Sequence, residues 1–353
     1  MTTALLFRQL FDPVSSTYTY LLACARTKEG VLIDPVFEHH ARDAALVVEL
    51  GIRLRFSIDT HVHADHVTGA WRMREKTGCQ IVVARAAGAE GPDVVVVDGD
   101  RLVFGDRALT VRATPGHTNG CITLVTDDGR MAFTGDALLV RGAGRTDFQQ
   151  GDARALYRSI TRVVFALDDE CLLYPAHDYQ GRTVTTVGEE RRFNPRIGGE
   201  ANEEDFVGYM ENLGLPHPRQ IDVAVPANLQ CGRPSAPLAP VSARLPVALS
   251  YAGVPELSLD WVREHRAELT ILDVREAHEL TGELAQIDDA VVHVPLGVLA
   301  ARADTLPRDK PIVCVCRSGR RSAQACTILT KAGFVDVANA TGGMLAWRAR
   351  DLA

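Results

Sequence analysis

Short apolar runs rich in β-branched and aromatic residues punctuate the first two thirds of the chain. They lie at residues 18–24 (YTYLLAC), 30–34 (GVLID), 80–83, 94–97, 109–113, 122–126 and 131–134, with Gly, Pro and Asp between them. Runs of this length and composition predict strands. Apolar positions recur every three or four residues over 41–50, 67–76, 153–165 and 203–213, which predicts helices. Strands dominate, so the expectation for this part is two sheets flanked by helices. The last third alternates more regularly. It reads as helix 258–269, strand 270–274, strand 312–316, helix 322–332 and strand 335–339, an α/β pattern with a mainly parallel sheet.

Between these parts runs RPSAPLAPVSARLP, residues 233–246, with prolines at 234, 237, 240 and 246. Each proline removes a backbone donor and fixes φ, so the stretch cannot enter a sheet interior and reads as an extended linker. The expected organisation is therefore a domain over 1–232, a linker over 233–246 and a second domain over 247–353.

Composition narrows the function classes. With 46% hydrophobic and 24% charged residues the chain is of globular type, and 353 residues suit about two domains. A net charge of −7 disfavours a nucleic-acid partner, which needs a basic surface. No apolar run approaches the ~20 residues of a membrane span, so no membrane partner is expected. The start, MTTALLFRQLFDP, lacks a basic n-region, which makes the cytoplasm the default expectation. The eight cysteines are scattered and expected to be thiols; Cys24, Cys79, Cys121, Cys171 and Cys326 read as small buried hydrophobes, while Cys231 carries no assignment.

Candidate chemistry concentrates in two places. The segment Thr60-His61-Val62-His63-Ala64-Asp65-His66 follows a strand-like run (RFSID) and offers four potential ligands within six positions. His117 (TPGHT), Asp136 (FTGD) and His177 (YPAHDY) each follow a β-run in turn. Ligands delivered at successive strand ends can meet at one rim of a sandwich, and imidazole with carboxylate suits zinc or iron. His39, His40, His217, His265 and His278 read as surface or spacer residues.

This H-x-H-x-D-H motif with the isolated His, Asp and His resembles the metallo-β-lactamase superfamily over residues 1 to about 232. The intervening stretches DALLVRGAGRTDFQQG, YPAHDYQGRTVTTVGEERRFNPR and QIDVAVPANLQCG resemble the persulfide dioxygenases within it. The fold class implied is α/β, an N-terminal αββα sandwich. The resemblance also implies one Fe(II) per chain held by His61, His117 and Asp136, with His63, Asp65, His66 and His177 orienting ligands and bound water. Three protein ligands leave positions open for O2 and a persulfide sulfur together. Glutathione is the thiol implied. Arg145 and Tyr179 match positions where the related glyoxalase II hydrolases contact it, although Asp147 stands where those carry an aromatic. The plainer alternatives are a surface salt bridge for Arg145 and packing for Tyr179. The resemblance leaves a homodimer open.

The second place is the strand ending at Cys316, followed by Arg317-Ser318-Gly319-Arg320-Arg321-Ser322 and a helix. A thiolate facing backbone N–H groups and a helix N-terminus sits in an anion site that lowers its pKa. Cys314 shares the strand face but lies deeper, where packing explains it. With ILDVRE upstream and TGGMLAW downstream, residues 247–353 resemble a single-domain rhodanese, an α/β domain. A cysteine phosphatase is the rival, but it needs Arg six positions after the Cys, and position 322 is Ser. The combined resemblance implies oxidation of glutathione persulfide by O2 to sulfite and glutathione. Cys316, set in the loop Arg317, Ser318, Gly319, Arg320 and Arg321, would then move sulfane sulfur between thiosulfate or sulfite and glutathione. The alternatives are a dizinc glyoxalase II-type thioester hydrolase with a sulfur-binding appendage, and a non-catalytic sulfur-binding protein.

Overall fold

The apolar runs of the N-terminal part pair into two sheets. The structure, a computed structural model, describes every residue except 1–3, 217, 219, 235–241, 243, 286, 289 and 352–353. Most of the expected linker, and His217, therefore lie outside the described residues. Chain contacts divide the protein into two units, Met1–Ser235 and Ala236–Ala353.

In the first unit β1 (Leu5–Asp12), β2 (Thr17–Cys24), β3 (Glu29–Ile33), β4 (Arg53–Ile58), β5 (Gln80–Ala84) and β6 (Val94–Val96) form one sheet in that order. The other sheet contains β7 (Arg101–Phe104), β8 (Arg107–Ala113), β9 (Ile122–Thr126), β10 (Met131–Gly135), β11 (Leu172–Pro175) and β12 (Thr185–Thr186), again in chain order. Alternate residues of β2 explain the layering. Tyr18, Tyr20 and Leu22 face the other sheet and pack with Ile33, Ile58, Leu109, Leu124 and Phe133. Leu21 and Ala23 face outward onto Leu46 and Val47 of helix His40–Glu49. With both faces covered, β2 is buried along its whole length and reads as a continuous apolar run. The outer face of the second sheet is covered by helices Ala153–Ser159, Val187–Phe193 and Glu203–Glu211 through Leu156, Val187, Phe206 and Met210. The result is helix, sheet, sheet, helix, the αββα architecture expected.

Some elements differ from their sequence reading. β1, in the stretch read only for a leader, pairs with β2 from Leu5↔Cys24 to Asp12↔Thr17. The expected helix 153–165 is α-helical to Ser159 and then takes one π turn, Ile160–Val164. Helix Ile221–Asn228, with Pro226 inside it, has no clear apolar period and is not predicted.

In the second unit β13 (Ala248–Leu249), β14 (Pro255–Leu257), β15 (Thr270–Asp273), β16 (Val292–His293), β17 (Ile312–Val315) and β18 (Val337–Ala340) form one sheet in the order β13-β14-β18-β17-β15-β16. All its pairs are parallel except β13 with β14. Ile312 and Cys314 of β17, with Cys316 just beyond it, join one core with Ala325 and Leu329 of helix Arg320–Lys331. Val313 and Val315 join the other, with Val262 and Trp347. Burial on both faces fits a parallel sheet between helical layers.

Candidate metal centre and cysteine loop

The ligand candidates of the first unit all stand beyond the carboxyl ends of strands: His61 after β4, His117 after β8, Asp136 after β10 and His177 after β11. Local hydrogen bonds aim them. Thr60 donates its hydroxyl to Asp34 Oδ2 (2.9 Å) and accepts from Nδ1 of His61 at 3.1 Å. The Arg145 carbonyl accepts from Nδ1 of His117 at 2.6 Å. A carbonyl only accepts, and the one Thr60 hydroxyl proton is engaged by Asp34, so both imidazoles carry their proton on Nδ1. Their Nε2 lone pairs then converge on Asp136 Oδ2, at 4.0 Å from His61 and 3.6 Å from His117. The three ligand atoms lie within 4.8 Å of one another, and all three side chains are buried.

Electrostatics favour ligand forms at these positions. Burial, and then the neighbouring His63, push His61 well below the ordinary imidazole value; burial likewise lowers His117. Both are therefore neutral. Burial alone would raise the Asp136 carboxyl, but His177, whose Nδ1 donates to Oδ1, holds it below the carboxylate range.

The rest of the motif forms a second hydrogen-bonded group, in which His63 Nδ1 and His66 Nε2 are buried without a hydrogen-bond partner. His63 Nε2 lies 3.2 Å from Asp34 Oδ1, and that carboxylate also accepts from the Thr60 amide at 2.7 Å. Asp34 adopts φ +50°, a left-handed conformation uncommon outside glycine, immediately after β3. Asp65 Oδ2 accepts from His66 Nδ1 (2.8 Å) and His177 Nε2 (3.0 Å), and His177 Nδ1 reaches Asp136 Oδ1 at 2.7 Å. Asn228 clamps the motif loop by donating to the carbonyls of His63 and His66.

A cavity of about 800 Å³ opens over His117 and Asp136. Its wall includes both residues anticipated for substrate. Tyr179 is 71% exposed, its ring parallel to that of His177. Arg145 is committed: its guanidinium donates twice to Asp147 at 2.6 Å and to the Pro216 and Leu215 carbonyls at 2.6 and 2.9 Å. Arg141 and Arg182, also in the wall, pair with Glu190 and Asp178. Arg196 differs. It donates to the Ala143 carbonyl (2.7 Å) and lies over Tyr209, with no ion pair among the described residues. Sequence reasoning missed Arg196, Asp34 and Thr60; only Asp34, a polar residue closing an apolar strand, carried a signal like that of the ligands.

In the second unit Cys316 lies at the floor of its loop, 1% exposed. Gly319 donates its amide to Sγ at 3.2 Å, and Ser322 its hydroxyl at 3.3 Å. Burial opposes ionisation, but these donors, led by Ser322, bring the thiol below its ordinary value. Cys314 shifts the other way, raised by its contact with Cys326 and by burial. Of the loop residues, Ser318 is exposed and Gly319 is buried with φ +95°. Arg321 is held by Glu279 at 2.6 and 2.7 Å, whereas Arg317 and Arg320 are exposed and form no ion pair among the described residues.

The chain is similar to known proteins in both units. Residues 12–177 match the metallo-beta-lactamase superfamily and residues 258–350 the rhodanese-like domain. Over 229 residues the sequence is 56% identical to the mitochondrial persulfide dioxygenase ETHE1 of Homo sapiens, spanning 65% of this chain and 89% of that one. The Mus musculus protein of the same name is 54% identical over 228 residues, 64% of this chain and 89% of its own. The crystal structure of ETHE1 from Myxococcus xanthus superimposes with a TM-score of 0.63 at 53% identity, covering 65% of this chain and all of that one, 100%. A metallo-beta-lactamase structure from Staphylococcus aureus subsp. aureus COL covers 97% of this chain and 99% of its own at TM-score 0.62; at 21% identity the likeness is one of fold. No helix among the described residues is long and apolar enough to cross a membrane.

Proposed function

The chain belongs to the persulfide dioxygenase family, with a metallo-beta-lactamase domain followed by a rhodanese domain, and on that premise we propose that it oxidises glutathione persulfide with O2 and transfers sulfane sulfur at Cys316. The overall reaction at the first site is GSSH + O2 + H2O → GSH + sulfite + two protons when the sulfite is fully ionised. The observation that carries this reading is the convergence of His61, His117 and Asp136, two imidazoles and one carboxylate, beyond the strand ends.

The three side chains fit a single Fe(II). Two neutral imidazoles present Nε2, their Nδ1 protons engaged elsewhere, and one ionised carboxylate completes a facial set. Iron bound there supplies redox chemistry with O2 and coordination positions left open by a three-ligand set. The chain's own residues do the rest. Thr60 and the Arg145 carbonyl fix the two imidazole rings, and His177 orients Asp136. The cavity seats the tripeptide, with Arg196 offering a guanidinium to a substrate carboxylate and Tyr179 its exposed ring and hydroxyl at the mouth. Arg145, tied to Asp147 and to residues 215–216, holds the cavity wall and meets a carboxylate only by sharing with Asp147.

At the second site the Cys316 thiolate attacks the outer sulfur of thiosulfate, forming an S–S bond as sulfite leaves. Glutathione then takes that sulfur as glutathione persulfide and restores the thiol. The reverse run consumes glutathione persulfide and sulfite. Gly319 and Ser322 stabilise the charge on sulfur, and Arg317 and Arg320 attract the dianion. A reducing compartment such as the cytoplasm suits this chemistry, since Cys316 must be a free thiol between turnovers. The test is O2 uptake with glutathione persulfide, alongside metal analysis of protein made in iron-supplemented cells. About one iron per chain and stoichiometric sulfite are expected. Two zinc ions with glutathione-thioester hydrolysis and no O2 uptake would falsify the dioxygenase.

A further inference from the structure

We propose that Thr17 limits the first site to one metal, by seating its hydroxyl among the donors that would otherwise hold a second. The proposal rests on the single-iron reading above. His63, Asp65, His66 and His177 form a second donor group, the three histidines buried and Asp65 partly exposed, with ligand atoms within 4.8 Å of one another. Composition and spacing alone would let this group bind a cation, because two or three imidazoles with a carboxylate are a sufficient set. Something in the chain must decide against it.

Thr17 is placed to do so. Its Oγ1 lies 3.0 Å from His177 Nε2, 3.2 Å from His66 Nδ1 and 3.3 Å from Asp65 Oδ2. A bound transition metal stands about 2.0–2.2 Å from imidazole nitrogen and carboxylate oxygen. A neutral hydroxyl ringed at hydrogen-bond distance by the same three donors takes the space such an ion needs, and replaces it only weakly as a ligand. With Thr17 there, His66 Nδ1 and His177 Nε2 both donate to Asp65 Oδ2, while His66 Nε2 is left buried without a hydrogen-bond partner.

The hydroxyl is also fixed. Thr17 is fully buried at the start of β2, paired with Asp12 on one side and bridged to His177 on the other. The following amide, Tyr18, donates to the Ala176 carbonyl at 2.7 Å. Ser15 Oγ holds Thr17 Oγ1 from behind at 2.7 Å and is itself anchored on Asp12 Oδ2. Swinging the side chain aside would break this chain of bonds or the strand pairing.

The experiment is metal titration of the purified full-length protein, stripped and then reconstituted with Co2+ alone, read by elemental analysis after gel filtration and by calorimetry. Wild type and Thr17→Ser should bind one Co2+ per chain. Thr17→Ala should bind two, with affinity for the second ion raised at least 100-fold, and Thr17→Ala combined with Asp65→Ala should return to one. Ser15→Ala, which loosens the hydroxyl without opening the core, should raise second-ion affinity by a smaller factor. It carries the test if Thr17→Ala does not fold. One ion in wild type and still one in Thr17→Ala, or in Ser15→Ala where only that variant folds, overturns the role of Thr17 alone. Two ions in wild type overturn both this role and the single-iron reading.

Discussion

His63 and Asp34 meet inside the protein at 3.2 Å, Nε2 to Oδ1, each side chain at most 1% exposed. The second histidine of H-x-H is thus engaged by a carboxylate outside the proposed ligand triad. Asp34 serves two ends at once. Through Thr60 it fixes the His61 ring, and directly it holds the His63 ring by Nε2. The carboxylate raises the His63 pKa against the opposing effect of burial, so the pair has the character of a buried ion pair.

His63→Ala should therefore keep close to one iron per chain while losing stability. Removing one partner of a buried pair costs about 3 kcal/mol, which in a domain of this size lowers Tm by about 6–12 °C. His61→Ala should behave in the opposite way, losing the metal with a smaller thermal effect. Elemental analysis and calorimetry on the two variants separate the roles; loss of iron from His63→Ala would make His63 a ligand.

His117→Ala and Asp136→Ala should each abolish O2 uptake with glutathione persulfide and leave thiosulfate sulfurtransfer near the wild-type rate. Gly144→Ala should approach the same result without touching a ligand. A Cβ on Gly144 would stand 2.1 Å from the Asp136 carbonyl oxygen and 2.9 Å from the His117 ring. The loop must shift, and with it the Arg145 carbonyl that orients His117. Iron content well below one per chain in a folded Gly144→Ala protein is expected; full occupancy would show that the loop yields elsewhere.

Two arginines of the cavity wall should differ. Arg196→Ala should raise KM for glutathione persulfide roughly 10-fold with little change in kcat, the effect of losing one charge-assisted hydrogen bond remote from the reacting sulfur. Arg145→Ala removes the tie to Asp147 and residues 215–216, so it should lower thermal stability as well as affinity. Steady-state kinetics with melting curves decide between them. If only Arg145→Ala moves KM, the carboxylate contact belongs to Arg145.

Much of this was readable in the chain. His61, His117, Asp136 and His177 each follow an apolar run, and a polar residue at a strand end is the pattern that puts side chains on one rim. Cys316 was marked by the strand before it and the Gly-containing loop after it. What stayed hidden depends on pairing across long sequence distances. Nothing near Thr17 says that it meets residues 65, 66 and 177, because the contact exists only once β2 enters the sheet. Arg145 and Arg196 look alike as letters; the carboxylate at Asp147 separates them, and only coordinates show which arginine it takes. Helix Ile221–Asn228 was missed because Pro226 and a weak apolar period speak against it, yet it supplies the Asn228 clamp.

The final prediction concerns the cysteine loop and its pH dependence. Cys316 has a lowered pKa because Ser322 and the loop amides stabilise its thiolate, so at a given pH more of it is ionised than of an ordinary thiol. Its alkylation by iodoacetamide should reach half its maximal rate below the usual thiol range of about 8–9. Ser322→Ala removes the leading stabiliser of the anion, and the midpoint should move up. Thiosulfate sulfurtransfer near neutral pH should then fall about 10-fold, as expected for one lost hydrogen bond to a charged group. Cys316→Ser should abolish transfer and the mass gain of one sulfur after thiosulfate treatment. Cys314→Ser should retain both, since Cys314 is fully buried and its pKa is raised. Mass spectrometry of the intact variants reads the outcome. An added sulfur that survives Cys316→Ser and vanishes with Cys314→Ser would move the nucleophile two residues inward, against the loop hydrogen bonds and the opposite pKa shifts that favour Cys316.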